Sequence, residues 1–223
     1  MAIVLNIETA TTNCSVSLSK DGEILVLKED NSPSYSHAET LHAFISEVFE
    51  ISNIKPSEIT AVAVSKGPGS YTGLRIGVSS AKGLCFALNK PLIAIDTLES
   101  LAHQVNCEDG YIVPMLDARR MEVYSAIYNS KLVLYREIKA EILTEESFKT
   151  LLKNDKVYFV GSGVEKTKYL INHPNAIFIE GKLPSANEMG VLAELKYQKS
   201  DTEDVAYFEP YYLKDFVALK KKT

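Results

Sequence analysis

The sequence predicts an α/β protein of two lobes, each a mixed sheet flanked by helices and both built on one plan. Three observations carry that prediction. The order strand, strand, strand, helix, strand, helix begins at Ile3 and begins again after Gly110. The chain of 223 residues is long enough for two cores of about 100 residues each. The run from Ser65 to Gly77 joins a buried apolar strand to a glycine-studded helix, the joint expected at the end of an open αβ unit.

The elements follow in order. Ile3 to Thr9 reads as a strand, Cys14 to Ser19 alternates, Asp21-Gly22 turns, and Glu23 to Leu27 returns as the other arm of a hairpin. Ser36 with Glu39 spells a capping box for a helix through about Ser52. Ile59 to Val64 is a short apolar strand. Gly67, Pro68 and Gly69 break it before Ser70 or Thr72 caps a helix to about Leu88. A strand at Leu92 to Ile95 and a helix from Thr97, with Asp96 and Glu99 as its cap, close the first half. In the second half, strands are expected at Tyr111 to Leu116, Glu122 to Tyr128 and Lys131 to Ile138, and a helix at Glu145 to Leu152. A strand at Val157 to Val160 ends in Gly161-Ser162-Gly163. A helix over 164–172, a strand at Ala176 to Ile179 and a helix capped by Ser185 and Glu188 complete the plan. The division is placed at 1–106 and 107–223, with the last helix or tail packing back on the first lobe.

Composition narrows the function. A formal charge of -5 and a pI near 5.5 offer no general basic face, so direct nucleic-acid binding is disfavoured and any such role is shared with a partner. The apolar start Ala2-Ile3-Val4-Leu5 is too short for a signal peptide and no run approaches a membrane span, so a cytoplasmic protein without membrane contact is expected. Cys14, Cys85 and Cys107 form no C-x-x-C pair, which fits a reducing compartment. His37 and His42 are five apart, off a common helical face, and His103 and His173 fall in other elements, so no metal site is expected.

Two features suggest chemistry or binding. The amides around Gly67 and Gly69 could cradle a phosphate, but Lys66 precedes the glycines, where a P-loop has its lysine after them. On the first long helix, Leu41, Phe44, Ile45, Val48, Phe49 and Ile51 span an arc of about 160°, wider than the roughly 100° that one core requires. On the second, Gly73, Gly77 and Ala81 form a ridge of small residues with Gly83 nearby. Each helical glycine costs about 1 kcal/mol relative to alanine, so a close approach must offset it, either to another chain or to this protein's own sheet.

Four stretches are familiar: MAIVLNIETATTNCSVSLSKDGE, SHAETLHAFISEVFE, AVAVSKGPGSYTGLRIGVSSAKGLCFALNKPLIAIDTLESLA and MLDARRMEVYSA. With them the chain resembles the bacterial TsaB (YeaZ) family, closely over its first 126 residues and more loosely beyond. The resemblance implies the duplicated actin-like ATPase (RNase H-like) fold. It implies a non-catalytic subunit that dimerises with the related TsaD protein and works with the ATPase TsaE. That complex transfers threonylcarbamoyl to a tRNA adenosine beside the anticodon, and tRNA is met indirectly. It further implies a homodimer when the protein is alone, and no cofactor, with ATP or ADP confined to the complex interface. TsaD proteins carry H-x-x-x-H where this chain has Thr97 and Leu101, which argues against intrinsic transferase activity.

By the same resemblance the interface residues are Leu41, Phe44, Ile45, Val48 and Ile51 on the first helix. On the second they are Gly73, Leu74, Arg75, Gly77, Val78 and Ala81. Glu8, where the family more often has Asp, is a candidate nucleotide contact with Gly67, Gly69 and Asp117. Asp117, Arg119 and Arg120 alternatively make a structural ion pair and a solvated turn. The rival reading is a nucleotide-dependent transferase or phosphotransferase with its own active site. The Lys220 to Lys222 tail is expected to be solvated, with a tRNA-backbone contact as the alternative.

Overall fold

A computed structural model describes residues 2–32 and 37–214. Strand β1 (Ile3–Glu8) is central to the first sheet, between β2 (Cys14–Lys20) and β4 (Ala61–Gly67), with β3 (Glu23–Asp30) and β5 (Leu92–Asp96) at the edges, in the order β3-β2-β1-β4-β5. The hairpin strands pair antiparallel. β4 and β5 run parallel to β1, reached through helices α1 (His37–Ser52) and α2 (Tyr71–Leu88). The second sheet repeats this with β6 (Tyr111–Asp117), β7 (Glu122–Asn129), β8 (Leu134–Ile142), β9 (Val157–Val160) and β10 (Ala176–Ile179), ordered β8-β7-β6-β9-β10. The same strand order and the same pairing directions occur twice, as the duplicated actin-like plan requires.

Alternation sorts each strand between two faces. In the first sheet Leu5, Ile7, Val62, Val64 and Leu92 lie under α1 and α2, with Leu41, Val48, Val78 and Ala81 against them. On the other face Val4, Ala61, Ala63, Ile93 and Ile95 are covered by Ala186, Met189, Leu192 and Ala193 of α6 (Ala186–Gln198), the last described helix. A polar seam fixes the start of α6 there. Ser17 Oγ donates to the Ala186 carbonyl (2.8 Å), Ser15 Oγ accepts from the Ala186 amide (3.0 Å), and Ser185 Oγ donates to Glu29 (2.8 Å).

The second sheet shows the converse. Its outer core gathers Val113, Met115, Val157 and Phe159 with Val164 of α5 (Val164–Leu170) and with Leu152 of α4 (Lys149–Leu152). Its inner face, Ile112, Leu116, Ala126 and Val160, is covered by Leu98, Leu101 and Ala102 of α3 (Thr97–Ala102), a helix that follows the first sheet in sequence. The lobes have thus exchanged helices, α6 packing on the first sheet and α3 on the second.

Several elements depart from the sequence expectation for local reasons. Asn129 Oδ1 accepts from the amides of Lys131 (2.9 Å) and Val133 (3.0 Å), so a turn occupies the expected start of β8. The strand begins at Leu134 and runs on to Ile142. The helix expected from Glu145 is reduced to Lys149–Leu152, because Ser147 Oγ accepts from the Thr144 amide and Phe148 adopts φ 60°. Asp96 stands at the N-cap of α3 as expected, but its side chain makes no cap hydrogen bond and pairs with Lys66 (3.2 Å). Ser185 caps α6 alone, while Glu188 bonds Gln104 and Asn187. Ser70, not Thr72, caps α2. The Ser36 cap and the Lys220 to Lys222 tail lie outside the described residues.

After α6 the chain returns along the first lobe as a strap. Glu203 donates to the Leu92 carbonyl (2.8 Å), Val205 and Phe208 pack on the core beneath α2, and Lys82 of α2 donates to the Ala206 and Phe208 carbonyls (3.1 and 2.9 Å). Farther on, Tyr211 donates to the Lys66 carbonyl (2.7 Å), and Tyr212 reaches the first turn of α2.

Candidate functional site

The parallel strands bring the candidate phosphate loop to the carboxyl ends of β1, β4 and β5, the edge at which open αβ sheets bind ligands. Here its glycines serve the chain itself. Gly67, at φ +114°, faces the Tyr211 carbonyl, which an added Cβ would meet at 2.7 Å. Gly69 faces Ala10, whose carbonyl accepts from the Ser70 amide (2.7 Å). The close approach that these glycines permit is taken by the β1–β2 connection on one side and by the strap on the other.

Glu8 lies beneath this loop and is wholly buried. Its Oε1 accepts from the Ala10 amide (2.5 Å) and from Ser65 Oγ (2.9 Å), while Oε2 has no partner among the described residues. Loss of water outweighs these bonds and pushes its pKa from 4.5 to about 7. Asp96 at the end of β5 is also raised by burial, to about 6 against the pull of Lys66. Asp117 does not join them. It ends β6, is exposed, and pairs with Lys166 (2.8 Å) while accepting from the Arg119 amide (2.5 Å). Its ion-pair partner is therefore Lys166, and Arg119 and Arg120 contribute no carboxylate pairing. Among the described residues no three His, Cys, Asp or Glu side chains gather as a metal cluster.

The helical candidates divide by face. Leu41, Ile45, Val48, Leu74, Val78 and Ala81 are buried in the protein's own core, so the wide arc on α1 serves the sheet. The ridge of small residues does the same. A Cβ on Gly73 would stand 2.1 Å from the Thr9 carbonyl oxygen, one on Gly77 2.2 Å from Thr9 Oγ1, and that hydroxyl donates to the Gly73 carbonyl (2.8 Å). The close approach that offsets the helical glycines is to Thr9, the residue that follows β1. Phe44 is half-buried, and Arg75 and Ile51 (57 % exposed) face outward.

Sequence periodicity missed two surface features. Phe86, on the outer face of α2, is 86 % exposed. Arg75 stacks over Tyr71 (4.0 Å to the ring centroid) and donates to Tyr212 Oη (3.1 Å), walling a groove of about 490 Å³ that Ala38, His42, Ile76 and Ser79 also line. The contact of Tyr212 with α2 spans 137 residues and leaves no local trace in the sequence.

Comparison with known proteins sets this geometry in context. A family model described as "TsaD: tRNA N6-adenosine threonylcarbamoyltransferase" matches residues 31–222. The chain is 30 % identical to the tRNA threonylcarbamoyladenosine biosynthesis protein TsaB of Haemophilus influenzae, over 98 % of this chain and 96 % of that one. It is 30 % identical to the protein of the same name from Escherichia coli, over 98 % and 97 %. Among solved structures, YeaZ from Pseudomonas aeruginosa superposes with a TM-score of 0.82 at 25 % identity, covering 96 % of this chain and all of that one.

Proposed function

The chain belongs to the TsaB (YeaZ) family, and on that premise we propose that it acts in tRNA threonylcarbamoyladenosine synthesis as a non-catalytic subunit that binds a TsaD protein. The observation that carries this reading is where the chain spends its close contacts. Gly67 and Gly69 are filled by Tyr211 and Ala10 of the same chain, and the carboxylate beside them is buried, whereas Ile51, Arg75 and Phe86 stand open on the two helices. A catalytic phosphate site needs a loop open to its ligand, and here the Ser70 amide already bonds the Ala10 carbonyl. A docking face needs exposed aromatic and apolar anchors.

The reading is tested by threonylcarbamoylation with purified TsaD, TsaE, tRNA, ATP and threonylcarbamoyl-adenylate. Activity is expected only when TsaD and this protein are both present. Activity without TsaD would make this chain the enzyme, and full activity in its absence would leave it outside the reaction. The docking face is tested separately. Ile51→Asp with Phe86→Asp is expected to weaken TsaD binding about 100-fold or more in calorimetry, since a carboxylate buried against an apolar partner costs several kcal/mol. Both side chains are exposed, so the melting temperature should stay within about 1 °C of the parent. Unchanged affinity would move the interface elsewhere. Val48→Asp is unsuited to this purpose, because Val48 is 0 % exposed and the substitution would unfold the lobe.

A further inference from the structure

The turn between β6 and β7 combines an unfavourable backbone with unpaired charge. Arg119 (φ 69°) and Arg120 (φ 51°) are consecutive left-handed residues, a conformation in which glycine and asparagine are the favoured occupants. The turn is held in place. Lys166 Nζ, nearly buried, bonds Asp117 (2.8 Å) and the carbonyls of Arg120 (2.7 Å) and Glu122 (3.1 Å). Both arginines are exposed, and neither guanidinium makes a hydrogen bond or ion pair among the described residues.

Other cations gather at the same place. Lys214, at the end of the strap, pairs with Glu122. The half-buried phenol of Tyr124, two residues beyond Glu122 on β7, lies near both Lys214 and Arg119. Asp117 and Glu122 are each paired with a lysine, so among the described residues no ion pair compensates the arginine charge. In a chain with net charge -5 this is a local inversion of sign.

We propose that the Arg119-Arg120 turn, with Tyr124 and Lys214 beside it, is a contact for the sugar-phosphate backbone of RNA. Guanidinium groups pair with phosphate through two parallel N–H bonds, and aromatic side chains beside a cationic surface stack unpaired bases. An overall acidic protein repels RNA at long range, so a contact must be a local cluster with its own carboxylates neutralised, as this one is. The inference rests on the proposed role in tRNA modification, which identifies the RNA as tRNA.

The experiment uses the reconstituted complex of this protein with TsaD and TsaE and measures kcat and KM for tRNA from low to high salt. Arg119→Gln with Arg120→Gln is expected to raise KM for tRNA roughly 10-fold at unchanged kcat. It should also flatten the salt dependence of binding by about 1.5 units of log K against log salt, two lost phosphate contacts. Affinity for TsaD should not change. A second pair, Arg119→Asn with Arg120→Gly, supplies the residues that this backbone prefers. It is expected to raise the melting temperature while raising KM as the glutamine pair does, a combination that a merely structural turn would not give. Unchanged KM and salt slope in both pairs would overturn the contact. A loss of TsaD affinity with an unchanged salt slope would assign the turn to a protein partner and equally overturn it. If omitting the whole protein leaves activity intact, the proposed function fails first, a result distinct from either outcome.

Discussion

Gly73→Ala is expected to destabilise the protein by about 3 kcal/mol or more, the upper end of overpacking costs, and to lower its melting temperature by roughly 6–12 °C. The added methyl group would stand 2.1 Å from the Thr9 carbonyl oxygen, and neither partner can turn aside. The obstacle is backbone at the end of β1, and Thr9 Oγ1 is tied to the Gly73 carbonyl. Gly83→Ala on the same helix supplies the control. Gly83 has nothing within 4 Å of its would-be Cβ, so the intrinsic preference of a helix for alanine stands alone. That substitution should stabilise by about 1 kcal/mol and raise the melting temperature by about 2–4 °C. Thermal scans of both variants check the pair. Equal effects would show that α2 does not lie against Thr9 as described.

Glu8→Gln is expected to remove a pH dependence of stability that the parent protein shows. The Glu8 pKa is raised by burial from 4.5 to about 7, so between those values the folded state holds a proton that the unfolded chain has released. The stabilisation from the neutral carboxyl is therefore complete below pH 4.5 and is lost as pH rises through 7. The loss is on the order of 3 kcal/mol by pH 8. Asp96, raised from 3.8 to about 6, adds a loss of the same sign at lower pH, completed as pH passes 6. Urea unfolding at half-unit steps from pH 5 to 8 should give a falling free energy for the parent and a flatter profile for Glu8→Gln, steepest below pH 6 where Asp96 still titrates. An unchanged slope between pH 6 and 8 would mean that the Glu8 carboxyl reaches solvent in the folded protein.

Much of this architecture was legible in the chain. Strand alternation and the turn residues at Asp21-Gly22 and Gly110 are local signals, and the sheets they predict repeat as read. The ends of the α4 and β8 segment were not legible, because side-chain-to-backbone bonds from Asn129 and Ser147 decide them against propensity. Nor does periodicity say which way an apolar arc points. The arc on α1 was wide because the helix packs on its own sheet, in a core that the strap residues Val205 and Phe208 also join. Those two apolar residues have no repeat to announce them. The burial of Glu8 was hidden for the same reason, since residues distant in sequence enclose a strand end that reads as an ordinary acidic terminus.

The exchange of α3 and α6 between the lobes has a consequence for synthesis. The first sheet is complete once Asp96 has been made, but Val4, Ala61, Ala63, Ile93 and Ile95 have no cover until Ala186 to Ala193 emerge. At about 5–20 residues per second, that leaves an apolar sheet face open for several seconds on the ribosome. The amino-terminal half therefore cannot finish folding as an autonomous unit, and a nascent chain arrested before residue 186 would be a natural client for holding chaperones.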